Sequence, residues 1–182
     1  MFPLTLRETK GSPLTHQEMD SNFQSVFGIH NLLQIEEQTS RGTPAGTFTS
    51  GSWIVRNLNT IMINNIENTS LLNNRITLPK GTYYCKAQFP AYRVDTHATR
   101  LVKVSNVPLL YGTTPYTPSG AASTESLSII NGLFELLDNS EIELQHYCTT
   151  TQSTYGLGAT AGSTIPGVYN IFSFIKIWKI GD

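Results

Sequence analysis

His146 and Cys148 stand two residues apart in EIELQHYC, and an imidazole beside a thiol can make a nucleophile. Period-two alternation puts them in a different light. Ile142, Leu144, His146 and Cys148 share one face of that run, opposite Glu141, Glu143 and Gln145. In YYCKAQF, Tyr83, Cys85, Ala87 and Phe89 share a face in the same way. Both thiols therefore point toward a core. The pattern predicts two buried free cysteines and a core histidine whose ring nitrogens are hydrogen-bonded. Whether the two cysteines lie close together is left open. His97, ahead of Arg100 in VDTHATRL, falls near a strand start. No second ligand stands close enough to suggest a metal site. The acids Asp95, Glu125, Asp138 and Glu141 fall at turns or strand edges, where solvation accounts for them. No serine sits in a nucleophile-elbow motif. The glycine-rich GLGAT at Gly156 to Thr160 lacks the lysine and the following helix of a phosphate cradle. The expectation is a protein that is not an enzyme and carries no cofactor.

Recognition chemistry has better candidates. Gly112 to Thr124 and Thr149 to Gly167 are long and rich in Gly, Ser, Thr and Pro, the composition of adaptable loops on a rigid scaffold. Tyr111, Tyr116 and Tyr155 could stack on a sugar or a protein surface, since tyrosine joins apolar area to a hydroxyl; packing down onto their own loops is the equal alternative. Charged residues make up only 14% of the 182, the net charge is −1, and the hydrophobic fraction is 39%. No basic stripe is present to displace counterions, which argues against nucleic acid as a partner. No apolar run reaches the ~20 residues of a membrane helix. The opening MFPLTLRETKGS has no secretory apolar core, which predicts a chain made and kept in a cytosol until something releases it.

The elements that would position these residues fall into four stretches. Residues 1–12 form a polar leader. From 13 to 38 the pattern predicts a helical stem. Thr15 and Glu18 form a capping box, with Leu14 and Met19 as its hydrophobic staple. Met19, Phe23, Val26 and Leu33 then recur as a heptad seam, with His30 at the missing seam position and Gly28 weakening the middle. Three copies of such a stem would stack His30 in a layer on the axis that could hold an ion; a His30 packed outward is the alternative. Residues 39–51 read as a turn-rich linker. From 52 to 182 the period is two, in many short runs such as WIVRNL separated by turn signals such as Pro79-Lys80-Gly81 and Asn131-Gly132, which predicts a β-sandwich or barrel. In the last run Phe172, Phe174, Trp178 and Ile180 line one face, and Ile171, Ile175 and Ile177 the other. A strand with two apolar faces needs cover on both. One can be the core, here assigned to the isoleucines. The other, here Phe172, Phe174 and Trp178, would meet a symmetric neighbour; the reverse assignment of the two faces is left open.

Two stretches resemble known families. SPLTHQEMDSNFQSV is similar to a short motif of phage tail-fibre and related virion proteins, carried here by Leu14, Thr15, Glu18, Asp20, Asn22 and Phe23. RITLPKGTYYCKAQFPAYRV, HATRL, IINGLFELL, EIELQHYC and IFSFIKIWKI together resemble the C1q/TNF-like jelly roll that ends phage fibres. The resemblance implies a jelly-roll head of about ten strands, a tight homotrimer through the C-terminal strand and through Met19, Phe23, Val26 and Leu33 of the stem, and residence in a virion. It implies a short tail fibre or receptor-binding tip that attaches to a bacterial surface glycan or protein, joined to the phage tail or capsid through the N-terminal segment. The chain lacks a shaft, so a capsid decoration or head fibre is an alternative, as is a soluble C1q-like binding module.

Overall fold

The computed structural model describes residues 5–26, 31–120, 123–160 and 169–182. Two short helices come first, α1 (Arg7–Lys10) and α2 (His16–Val26). The expected capping box forms: the Glu18 amide donates to Thr15 Oγ1 at 3.2 Å, and the Thr15 amide donates to Glu18 Oε2 at 2.7 Å. The Asn22 side chain closes the two helices into a clasp, accepting from the Thr5 amide and donating to the Thr5 carbonyl, each at 2.9 Å. Lys10 pairs with Glu18 across the same turn.

The helix does not reach residue 38. From Leu32 the chain is a strand, β1 (Leu32–Thr39), and the seam residue Leu33 is fully buried in the sandwich core. Gly28 and His30 lie outside the described residues, as does the side chain of Val26. Leu33 extends the helix seam, whereas its two-residue spacing to Ile35 fits a strand face, and both are buried. Pairing with two flanking strands decided the matter, because β12 and β3 supply backbone partners on both sides of β1.

Eleven strands follow among the described residues: β2 (Ile54–Val55), β3 (Thr60–Asn64), β4 (Ser70–Leu72), β5 (Arg75–Leu78), β6 (Gly81–Tyr92), β7 (Asp95–Lys103), β8 (Pro108–Tyr111), β9 (Tyr116–Thr117), β10 (Glu125–Leu136), β11 (Ser140–Cys148) and β12 (Asn170–Gly181). They make two antiparallel sheets. One runs β10-β6-β12-β1-β3; the other runs β4-β5-β11-β7-β8, with β2 on β11 and β9 on β7. The core between them is filled by alternating residues, among them Leu33, Ile35, Tyr83, Cys85, Ala87, Phe89, Leu101, Ile130, Ile142, Leu144, Ile175 and Ile177.

Three further expectations change. The stretch 39–51 is no free linker: Phe48 is fully buried against Ala91, Val94 and Cys148, and its backbone bridges to Gln152. Among the described residues, the head therefore begins at Leu32. Asn131-Gly132 is no turn, because β10 pairs with β6 without a break from Glu125 to Leu136. Gly132 lies close under Leu110: a Cβ there would sit 2.9 Å from Leu110 Cδ2, so the leucine tip would have to shift. Ile171, assigned to the core, is 53% exposed. It opposes Gln38 beyond a register shift in β1, past the last inward residue of β12, Ser173.

Candidate functional site

The head carries two places where side chains are arranged beyond ordinary packing. The first is a chain of polar groups crossing the sandwich core. Arg56, just after β2, is fully buried and ion-paired with Glu37 of β1, itself 1% exposed. Arg56 Nε donates to Glu37 Oε2 at 3.0 Å, Nη2 to the Leu157 carbonyl at 2.9 Å and Nη1 to the Pro90 carbonyl at 3.4 Å. Nη1 also faces His146 Nδ1 at 3.4 Å. His146 Nε2 and His97 Nδ1 are 2.9 Å apart, and His97 Nε2 lies 2.9 Å from Ser126 Oγ. Beside this chain, Thr99 and Ser128 join the same two strands, β7 and β10, through their hydroxyls at 2.7 Å.

The direction of these bonds follows from one fact: a guanidinium has donors only. His146 Nδ1 must then accept, so its hydrogen sits on Nε2 and is donated to His97 Nδ1. His97 in turn carries its hydrogen on Nε2 and donates it to Ser126. A serine touching a histidine could be a hydrolytic pair, but here the nitrogen that should take the serine proton already holds one. Burial, with help from the Arg56 charge, pushes the His97 imidazole down to about 4. Burial, Arg56 and His97 hold His146 well below its ordinary value. Both rings are neutral at pH 7 and poor bases. Burial likewise pushes the Cys85 thiol up to about 12 and Cys148 up to about 11, so neither is a ready nucleophile.

Stability should follow this chemistry. Unfolded histidine takes its proton near pH 6.5, while folded His97 resists until about 4. The folded state is favoured fully above the unfolded value and loses that advantage as pH falls from 6.5 toward 4. The loss from His97 alone should be about 3 kcal/mol at ~1.36 kcal/mol per pH unit. Urea denaturation at stepped pH checks it; a flat profile across that window would contradict the neutral pair.

Of the four acids at turns and strand edges, Asp95, Glu125 and Asp138 have structural side-chain partners. Asp95 takes the Thr150 hydroxyl at 2.5 Å and the Ser119 amide at 2.9 Å, which hold its carboxyl below the usual range. Glu125 accepts from the Ala159 amide at 2.9 Å, and Asp138 from Lys103 at 3.0 Å. Glu141 offers its backbone carbonyl to Val104. GLGAT serves packing: a Cβ at Gly156 would lie 2.6 Å from Phe48 Cβ, and one at Gly158 would lie 2.4 Å from the Phe172 ring. Tyr111, Tyr116 and Tyr155 are all exposed but are not gathered into one site. Tyr111 ends β8 opposite Arg100, Tyr116 sits in β9 opposite Thr96, and Tyr155 meets Tyr92 edge-on at 6.3 Å. Part of each expected recognition loop lies outside the described residues.

The second place is the outward face of the sheet β10-β6-β12-β1-β3. Register defines its rows. Leu133, Tyr84, Trp178 and Leu32 form one row; Asn131, Lys86, Lys176 and Gln34 the next; Ile129, Gln88, Phe174 and Glu36 the third. Tyr84 and Trp178 touch at 5.5 Å between ring centres. Leu133 is 61% exposed, and Leu127 and Ile129 on the same edge strand are 43% and 39% exposed. Phe172, Phe174 and Trp178, the expected trimer contacts, are half-buried on this side, away from Ile175 and Ile177. On α2, Met19 is 37% and Phe23 64% exposed.

No family model matches the chain, and no curated protein matches it. Solved structures do. A crystal structure of murine APRIL aligns over 83% of this chain and 99% of its own, with 12% identity and a TM-score of 0.55. A second murine APRIL structure covers 82% and 98%, with 11% identity and a TM-score of 0.51. The globular domain of zebrafish complement 1qA aligns over 83% and 97%, with 11% identity and a TM-score of 0.47. The head is thus a mainly β, antiparallel sandwich that shares its fold with the APRIL structures.

Arg56, Glu37 and Ser126 are the members of the polar chain that the sequence pattern does not reveal. Glu37 fell in the expected helix and Arg56 in a strand 19 residues later. No local spacing links them. The inward side of His146 was legible from alternation.

Proposed function

We propose that this chain is one subunit of a non-enzymatic, homotrimeric C1q/TNF-like binding module, its subunits packed through the outward face of the five-stranded sheet. The observation that carries this reading is a pair of apolar rows on one face, Leu133, Tyr84 and Trp178 on one side of Lys86 and Lys176 and Leu127, Ile129 and Phe174 on the other, more exposed apolar area than soluble monomers usually leave wet. A closed threefold arrangement covers such a face without propagating into fibres. The downward-shifted histidines and upward-shifted thiols support a binding role over a catalytic one. Sedimentation equilibrium of the full chain tests the reading. A mass three times that of the chain at micromolar concentration is expected; a stable monomer would refute it.

The N-terminal clasp favours a second, more specific reading. The phage-fibre motif residues Thr15, Glu18 and Asn22 build the α1–α2 clasp, and Phe23 is left exposed on it. On this reading the clasp joins the trimer to a phage particle, as a short tail fibre, a receptor-binding tip or a capsid decoration, and the loops of the head face the host surface. Antibody labelling of intact particles under the electron microscope would place the protein on tail or capsid; unlabelled particles would leave only the soluble module.

A further inference from the structure

The polar chain through the core has one feature that ordinary core packing does not require. It holds together pieces of both sheets and a loop: Glu37 from β1, Arg56 after β2, the Pro90 carbonyl of β6, His97 of β7, Ser126 of β10, His146 of β11 and the Leu157 carbonyl. The charged and titratable groups facing the histidine pair are Arg56 and Glu37, with the thiol of Cys148 two residues along the same face of β11. Pro90, Leu157 and Ser126 contribute neutral oxygens, and the Phe48 and Phe89 rings pack on His146 at 4.6 and 6.1 Å. Arg56 and Glu37 cancel each other, so the pocket is neutral only while both imidazoles are neutral.

A proton cannot enter this chain quietly. If His97 gains one, its Nδ1 becomes a donor and His146 Nε2 must accept. The hydrogen of His146 then moves to Nδ1, which faces the donors of Arg56. If His146 gains it, the same nitrogen becomes a donor directly. Every placement leaves two donors opposed, and all but one of them can be relieved only by separating Arg56 from His146. The remaining case opposes the two imidazoles themselves. Arg56 also holds the Leu157 carbonyl, and the neighbouring Leu157 and Ala45 amides bond across to Gly46 and Gly158.

We propose that the Glu37–Arg56–His146–His97–Ser126 chain is an acid-operated latch that keeps the loop around Leu157 docked at neutral pH and releases it when the imidazole pair takes up a proton. The latch lies within one subunit and does not depend on trimerisation. Release would loosen the pairing of residues 45–48 with 152–158 and free Tyr155 from Tyr92, changing the surface at that end of the head.

Hydrogen exchange of the full chain, corrected for intrinsic rates, tests the latch. Between about pH 7.5 and about pH 4.5, protection of residues 45–58 and 152–158 should fall about tenfold or more, while β6 and β10 hold theirs. In the double variant His97→Gln/His146→Gln each amide accepts on one side and donates on the other, preserving the bond direction without a titrating group. That variant should keep its loop protection at low pH. An unchanged loop in the wild type, or an undiminished response in the folded double variant, overturns the latch. Should the double variant fail to fold, the ring nitrogen spectrum of the wild type decides. Hydrogen on Nε2 of both histidines at neutral pH is expected; hydrogen on Nδ1 of His146 overturns the proposal.

Discussion

Arg56→Met should cost the fold about 3–5 kcal/mol, the range for removing one partner of a buried ion pair. The methionine fills much of the volume but supplies no donor. Glu37 would be left as a buried carboxylate without its cation, and its Oε1 already has no hydrogen-bond partner. The carbonyls of Pro90 and Leu157 and the Nδ1 of His146 would lose their donor together. Each such orphan is worth about 1–3 kcal/mol when it stays dry. Arg56→Met/Glu37→Leu should recover a large part of the loss, because an apolar pair needs no compensation. Chemical denaturation of the three proteins reads these differences. A loss below about 1 kcal/mol in the single variant would mean that water reaches the pair and that the core is wetter than its burial implies.

Trp178→Ser should break the assembly and leave the subunit fold standing. Trp178 faces outward, in a row with Tyr84 and Leu133, and the core side of β12 is filled by Ser173, Ile175 and Ile177. Covering one such side chain is worth about 2 kcal/mol. A trimer would lose it three times, about 6 kcal/mol, which weakens association by roughly four powers of ten. Phe174→Asp should act more strongly, since it would bury a carboxylate beside Glu36. Tyr111→Ala, on the other sheet, should leave the mass unchanged. Sedimentation velocity at micromolar concentration distinguishes the variants. A Trp178→Ser protein that sediments as the wild type would move the interface elsewhere.

The face that these predictions use was legible because alternation is local. A strand repeats its direction every two residues, so the shared face of Phe172, Phe174 and Trp178 and the inward side of Cys85, His146 and Cys148 follow from sequence order, while the packing of Ile175 and Ile177 in the core settled which apolar face of β12 turns outward. The capping box of Thr15 and Glu18 was legible for the same reason, since both partners lie within one helical turn. The strand-rich composition and turn signals were enough to define a β-sandwich.

What tertiary structure alone decided involves partners far apart in the chain. Leu32 to Thr39 carried a pattern that either a helix or a strand could use, and the ladders to β12 and β3 selected the strand. Asn131-Gly132 has strong turn chemistry, yet twelve paired residues along β6 outweigh it. Phe48 sits in a run of turn formers, and its burial comes from Ala91, Val94 and Cys148. The latch is the extreme case: Glu37, Arg56, His97, Ser126 and His146 are spread over most of the head and share no spacing. Burial turns each from an ordinary polar residue into a group that must be partnered, and only the closing of one sheet on the other brings the partners within reach.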